Sequence, residues 1–232
     1  MASLVKIRVK DGEMDVFLGA PIRRAPGPAI VLMYHRTGID DFTKHVVDRL
    51  VGSGYLVAVP DVYHQSPSVM PAERKALLND AEIIDDVGCV IETLRKREDV
   101  APDRIVVMGH CMGGRMALLL AGSSDSFCGA VVYYGGGVTR SWGDGPTVFE
   151  RLRNIRCPVI GFFGNEDKNP PPEEVDRIDL KLKTHDIEHV FHRYPSVGHG
   201  FLNPNRDTAQ ECAAAENAWT KTLAFLHQVA PI

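Results

Sequence analysis

Apolar residues along this chain fall into short unbroken runs set between longer stretches of helical spacing, the pattern of a parallel sheet buried on both faces. Runs at 29–34, 55–60, 104–108, 130–134, 159–163 and 188–194 are predicted strands. Two further segments, 5–9 and 14–18, flank the polar turn 10–13 and read as a β-hairpin. Residues 42–52 carry Phe42, Val46, Val47, Leu50 and Val51 on one stripe, which predicts a helix released by Gly54 into the next strand. Residues 61–71 read as a loop. More helices are predicted at 72–97 (continuous or interrupted), 112–121, 172–183 and 208–229. This alternation predicts an α/β fold, a mostly parallel central sheet of about eight strands with helices on both faces. No repeat, low-complexity tract or Ser/Gly linker divides the sequence, so residues 1–232 are expected to form one domain.

The segment that carries chemistry is RIVVMGHCMGGRMALLLAG, residues 104–122. It reads as a strand, a glycine-rich turn and an apolar helix, with G-x-C-x-G placing Cys111 where a nucleophile elbow holds its reactive residue. Gly109 and Gly113 remove Cβ atoms where strand and helix approach. The turn sets Cys111 at a helix N-terminus, where free N–H groups and the dipole favour a thiolate and a developing oxyanion. The other cysteines, Cys89, Cys128, Cys157 and Cys212, have no such setting and read as ordinary packing residues.

An elbow nucleophile wants an acid and then a histidine later in the chain. Asp167 follows the strand at 159–163, with Glu166 beside it as the alternative acid, and His199 follows the strand at 188–194 in a glycine-flanked loop. His185, His189 and His192 do not read as a metal cluster, because a strand sends residues 189 and 192 to opposite faces. Open α/β sheets bind ligands beyond their strand ends, so the segments 63–71, 135–145 and 201–203 should form the pocket. Tyr63, Trp142 and Phe201 are expected to give it an apolar wall.

Composition and charge narrow the function classes. A net charge of −4 and an isoelectric point near 6.1 argue against nucleic-acid or anionic-membrane partners, which need dense basic patches. Five scattered cysteines without C-x-x-C form neither a disulfide framework nor a zinc site, and suit a reducing, cytoplasmic setting. The first residues lack a continuous apolar stretch, so no signal peptide is expected, and no apolar run is long enough for a membrane span. No metal or cofactor is expected. A monomer or weak homo-oligomer is expected.

The segments GYLVAVPDVY (54–63), GHCMGG (109–114), VVYYGGG (131–137), FFGNED (162–167) and GHGF (198–201) together resemble the dienelactone hydrolase family. The resemblance implies the α/β-hydrolase fold and hydrolysis of small activated esters or lactones through a thioester-type intermediate. It implies a Cys111–Asp167–His199 triad and an oxyanion hole from the backbone N–H groups of Met112 and Arg36. Two positions depart from the family pattern. His35 stands where chloroaromatic-degrading members carry a glutamate beside the thiol, and Asn203 where they carry an arginine that anchors the substrate carboxylate. His35 is therefore expected to donate to the sulfur or lower its pKa, opening the site to neutral electrophiles. Two further readings are attack by the same thiol on another electrophile, such as an activated phosphotriester, and a non-catalytic binding module on this fold.

Overall fold

The computed structural model describes residues 2–23, 25–66, 71–203 and 208–232, which places residues 67–70 of the expected pocket loop outside the described set. Eight strands form one sheet: β1 (Ala2–Val9), β2 (Gly12–Gly19), β3 (Gly27–Met33), β4 (Leu56–Pro60), β5 (Val100–His110), β6 (Gly129–Tyr133), β7 (Val159–Gly164) and β8 (His189–Tyr194). Their spatial order is β1-β2-β4-β3-β5-β6-β7-β8. The β1–β2 and β2–β4 pairs are antiparallel and the remaining pairs are parallel. Every residue of β3, β4, β6 and β7 is buried, so helices cover both faces of the sheet centre. The edge strand β1 instead alternates at its C-terminal end, with Ile7 and Val9 turned inward.

The helices are α1 (Asp41–Gly52), α2 (Pro71–Arg74), α3 (Asp80–Arg95), α4 (Met112–Ala121), α5 (Val148–Arg151), α6 (Pro172–Thr184) and α7 (Ala209–Val229). Among the described residues no helix is long and apolar enough to cross a membrane. The apolar stripe of α1 is buried as its spacing requires, and Asp40 caps it by accepting from the Thr43 N–H. The segment 72–97 is interrupted. A 3₁₀ turn at Lys75–Leu77 ends at Leu78, and Asn79 restarts the chain as α3 by capping the Ala81 N–H. That break lets residue 75 sit at the sheet's carboxyl end rather than continue along the α3 axis. The strand predicted at 104–108 is longer on both sides. A register shift against β3 between Gly27 and Ala29 brings Val100 into pairing, across polar residues that hide the strand in the sequence.

Candidate active site

Strand β5 delivers Cys111 to the carboxyl end of the sheet, and α4 leaves at once. The turn between them holds Cys111 at φ 57° and ψ −117°, outside the regions that a side-chain-bearing residue normally visits. Two glycines make this possible. A Cβ on Gly109 would overlap the Gly113 carbonyl, and one on Gly113 would overlap the Met33 carbonyl of β3. The elbow is also tied to β6, since the Cys111 N–H donates to Tyr133 O at 2.9 Å.

Asp167 and His199 follow β7 and β8. Asp167 is 4% exposed, and its Oδ2 lies 2.7 Å from His199 Nδ1. Its Oδ1 accepts from the Asn169 N–H at 2.7 Å, so both carboxylate oxygens are held. The neighbouring Glu166 is exposed. His199 also hydrogen-bonds Cys111. Burial alone would raise the thiol pKa, but the hydrogen bond and charge of His199, then the Met112 N–H and Lys75, outweigh it and hold the thiol below its ordinary 9.0. At His199 burial works downward, yet the bonds to Asp167 and Cys111 push the imidazole up to about 9. The contact between Cys111 and His199 contributes to both displacements, lowering the thiol and raising the imidazole, with Asp167 adding to the second.

The thiol opens into a cavity of about 350 Å³ lined by His35, Arg36, Thr37, Lys75, Cys111, Met112, Arg115, Tyr134, Gly136, Trp142, Asn169 and His199. No carboxylate is among them. Asp40, Asp80 and Asp167 stand behind the wall, paired with His35, Arg115 and His199. Arg36 and Lys75 have no carboxylate partner among the described residues, so the mouth of the cavity is cationic. The Arg36 N–H likewise has no hydrogen-bond acceptor there. Its turn is fixed by Gly38 N–H donating to His35 O at 3.1 Å, and by Tyr63 Oη donating to Arg36 O at 3.1 Å.

Several expected pocket residues sit elsewhere. His35 reaches the cavity, but its Nε2 is 2.8 Å from Asp40 Oδ2 and 3.0 Å from Thr37 Oγ1. The cap of α1 thus engages the imidazole, while the influences named on the thiol pKa are burial, His199, the Met112 N–H and Lys75. Those contacts also hold Asp40 low: burial would raise it, but the Thr43 N–H and then the His35 and Thr37 bonds bring it to about 2. Tyr63 is buried beneath the Arg36 turn and touches Met112 Sδ at 3.4 Å instead of facing the cavity. Phe201 is 1% exposed and packs behind Tyr134, with ring centroids 5.3 Å apart. Asn203 borders a separate cavity with His45, Arg49 and Cys212. The chain turns inward after His199 because Phe201 is drawn into the core, which carries Asn203 away from the thiol. His189 and His192 go to different partners, Asp179 and the Phe162 ring.

Gly136 and Trp142 line the cavity from the expected segment 135–145, whereas Lys75, Thr37, Arg115, Tyr134 and Asn169 were not legible as pocket residues. For Arg115 one signal existed: a charged residue in an otherwise apolar helix, four positions after the elbow cysteine.

Comparison with known proteins comes from three directions. The sequence profile of the dienelactone hydrolase family matches residues 14–230. A protein of Synechocystis sp. that carries a provisional carboxymethylenebutenolidase name is 25% identical, over 94% of this chain and 93% of its own length. Among solved structures, one provisionally titled a dienelactone hydrolase, from Klebsiella pneumoniae subsp. pneumoniae, superposes with a TM-score of 0.89 at 22% identity, covering 98% of each chain. A dienelactone hydrolase-like promiscuous phosphotriesterase from metagenomic libraries gives 0.84 at 16% identity, covering 99% of this chain and 98% of its own. At these identities the structural likenesses speak for the fold.

Proposed function

From the premise that this chain belongs to the dienelactone hydrolase family and is a hydrolase, we propose that it cleaves small activated esters or lactones with Cys111 as nucleophile. The thiolate attacks the carbonyl carbon, and the Met112 and Arg36 N–H groups receive the oxyanion. His199, held by Asp167, gives its proton to the departing alkoxide as the C–O bond breaks and a thioester forms. It then takes a proton from water, whose oxygen attacks the thioester and releases the acid and the thiolate. For a lactone the leaving alkoxide stays tethered, and a single ring-opened hydroxy acid results.

The observation that carries this reading is the hydrogen-bonded chain Cys111–His199–Asp167 at the floor of a closed-backed cavity, with the thiol pKa lowered. Arg36 and Lys75, which have no carboxylate partner among the described residues, favour a substrate that bears an anionic group near the scissile bond, in place of the neutral electrophiles that His35 was expected to admit. The test is p-nitrophenyl acetate turnover by wild type and Cys111→Ala, with peptide mass mapping of the acid-quenched wild-type enzyme. Loss of turnover in the variant and an acetyl adduct on the Cys111 peptide are expected. Turnover retained in Cys111→Ala, or an adduct at another residue, would overturn the assignment.

A second reading has the same thiolate attacking phosphorus. The phosphotriesterase relative of this fold favours including a phosphotriester in the substrate panel.

A further inference from the structure

Helix α4 carries Arg115 one turn beyond Cys111, and the Arg115 N–H donates to Cys111 O at 3.2 Å. This guanidinium is 2% exposed. It forms a two-pronged pair with Asp80, at 2.7 and 2.9 Å, and donates to the backbone carbonyls of Arg140 at 2.7 Å and Gly137 at 3.4 Å. Asp80 is also engaged from the loop side. The Trp142 N–H donates to its Oδ2 at 3.0 Å, and the Asp80 N–H donates to Trp142 O at 2.8 Å. The guanidinium Cζ sits over the Trp142 ring, 3.8 Å from its centroid.

A buried ion pair is a poor way to gain stability, because removing both charges from water offsets most of their attraction, and an apolar pair of similar volume fills the space as well. An apolar pair would not grip the backbone of Trp142 on both sides or stack on its ring. The loop needs that grip. Gly137 at φ 72° and Gly143 at φ 76° flank it, and glycine there gives the backbone no stiffness of its own. Among the described residues, Trp142 and Tyr134 are the large aromatic rings that line the cavity.

We infer that Arg115 is a positioning residue for substrate selection: with Asp80 it holds the Trp142 indole as a rigid planar wall, and the site thereby favours substrates whose acyl group is flat and unsaturated. The preference for a flat acyl group rests on the esterase reading, but the wall itself is a binding property and is measured without hydrolysis. Face contact between two planar π-systems rewards a flat ligand and not a puckered one of equal size.

Benzoate and cyclohexanecarboxylate make the comparison, since they share charge and ring size and differ in planarity. Each protects Cys111 from iodoacetamide, and the concentration dependence of protection gives a dissociation constant. Wild type should bind benzoate about fivefold more tightly than cyclohexanecarboxylate. The preference should fall below about twofold in Trp142→Ala and equally in Arg115→Met, with no further change in the double variant. Should Arg115→Met not fold, Arg115→Lys keeps the charge, loses the fork, and should show the same fall in part. A wild-type preference near unity, or a preference retained in either Arg115 variant, would overturn the inference. Absence of ester turnover alongside the expected protection pattern would sink the esterase reading and leave the wall standing.

Discussion

Replacing His199 by alanine tests the most consequential contact in the molecule. The imidazole rises from 6.5 to about 9, and at 1.36 kcal/mol per pKa unit that corresponds to about 3 kcal/mol favouring the charged ring. Asp167 supplies part of this, and the ring is 33% exposed, so solvent screens it. The share left for the thiolate is roughly 1–2 kcal/mol, about tenfold in ionisation at fixed pH. The signs agree. A lowered thiol pKa leaves sulfur ionised above it, a raised imidazole pKa keeps the ring charged below about 9, and the pair exists between the two. The assay is the pH dependence of iodoacetamide alkylation at Cys111, followed by mass spectrometry. In His199→Ala the midpoint should move upward, because burial then faces only the Met112 N–H and Lys75, and the rate at pH 7 should drop about tenfold. Asp167→Asn should move the midpoint less, since the sulfur keeps its imidazole neighbour. A midpoint unchanged in His199→Ala would show that the ring does not ionise the thiol, and the reasoning would fail.

Lys75→Glu should reduce kcat/KM for an anionic ester two- to fivefold relative to a neutral one, and 0.5 M salt should erase the difference, as expected of an exposed charge. Gly113→Ala must push its new methyl into the Met33 carbonyl, which is fixed backbone, so a loss of about 3 kcal/mol or failure to fold is expected in thermal melts. Asp40→Ala removes the cap of α1 and should cost about 1 kcal/mol. Because the Asp40 carboxyl is depressed to about 2, that deficit should be constant above pH 4 and close as pH falls toward 2 in acid-denaturation series. A deficit independent of pH down to 2 would mean that ionised Asp40 does not stabilise the fold.

The sheet was legible because its central strands are buried on both faces and leave unbroken apolar runs, as in AIVLMY and RIVVM. The elbow was legible for a different reason: two glycines at fixed offsets from one cysteine answer a local steric demand of strand and helix. Asp167 and His199 could be picked out because each follows a strand end in a short polar loop. What remained hidden is non-local. Lys75 reaches the cavity only because Asn79 restarts the helix, and Arg115 matters only because Asp80 and Trp142, far apart in sequence, meet it. The pocket wall was misread where burial and position compete. The position of Phe201 after a strand end predicts a surface facing the ligand, yet its ring is consumed by packing against Tyr134 and Tyr194. His35 lines the cavity as expected, but its Nε2 is also engaged by a carboxylate five residues on, at a helix cap, a pairing that no local pattern announces.

The strand order has a consequence for the protein while it is being made. Cys111 leaves the ribosome about 90 residues ahead of His199, which at cellular synthesis rates is roughly 4–18 s. During that interval β5 exists without β8, and the thiol lacks the neighbour that counts most in ionising it. The nascent chain therefore carries Cys111 without the imidazole whose hydrogen bond and charge lower its pKa, and that neighbour arrives only once residues 189–199 dock on the sheet.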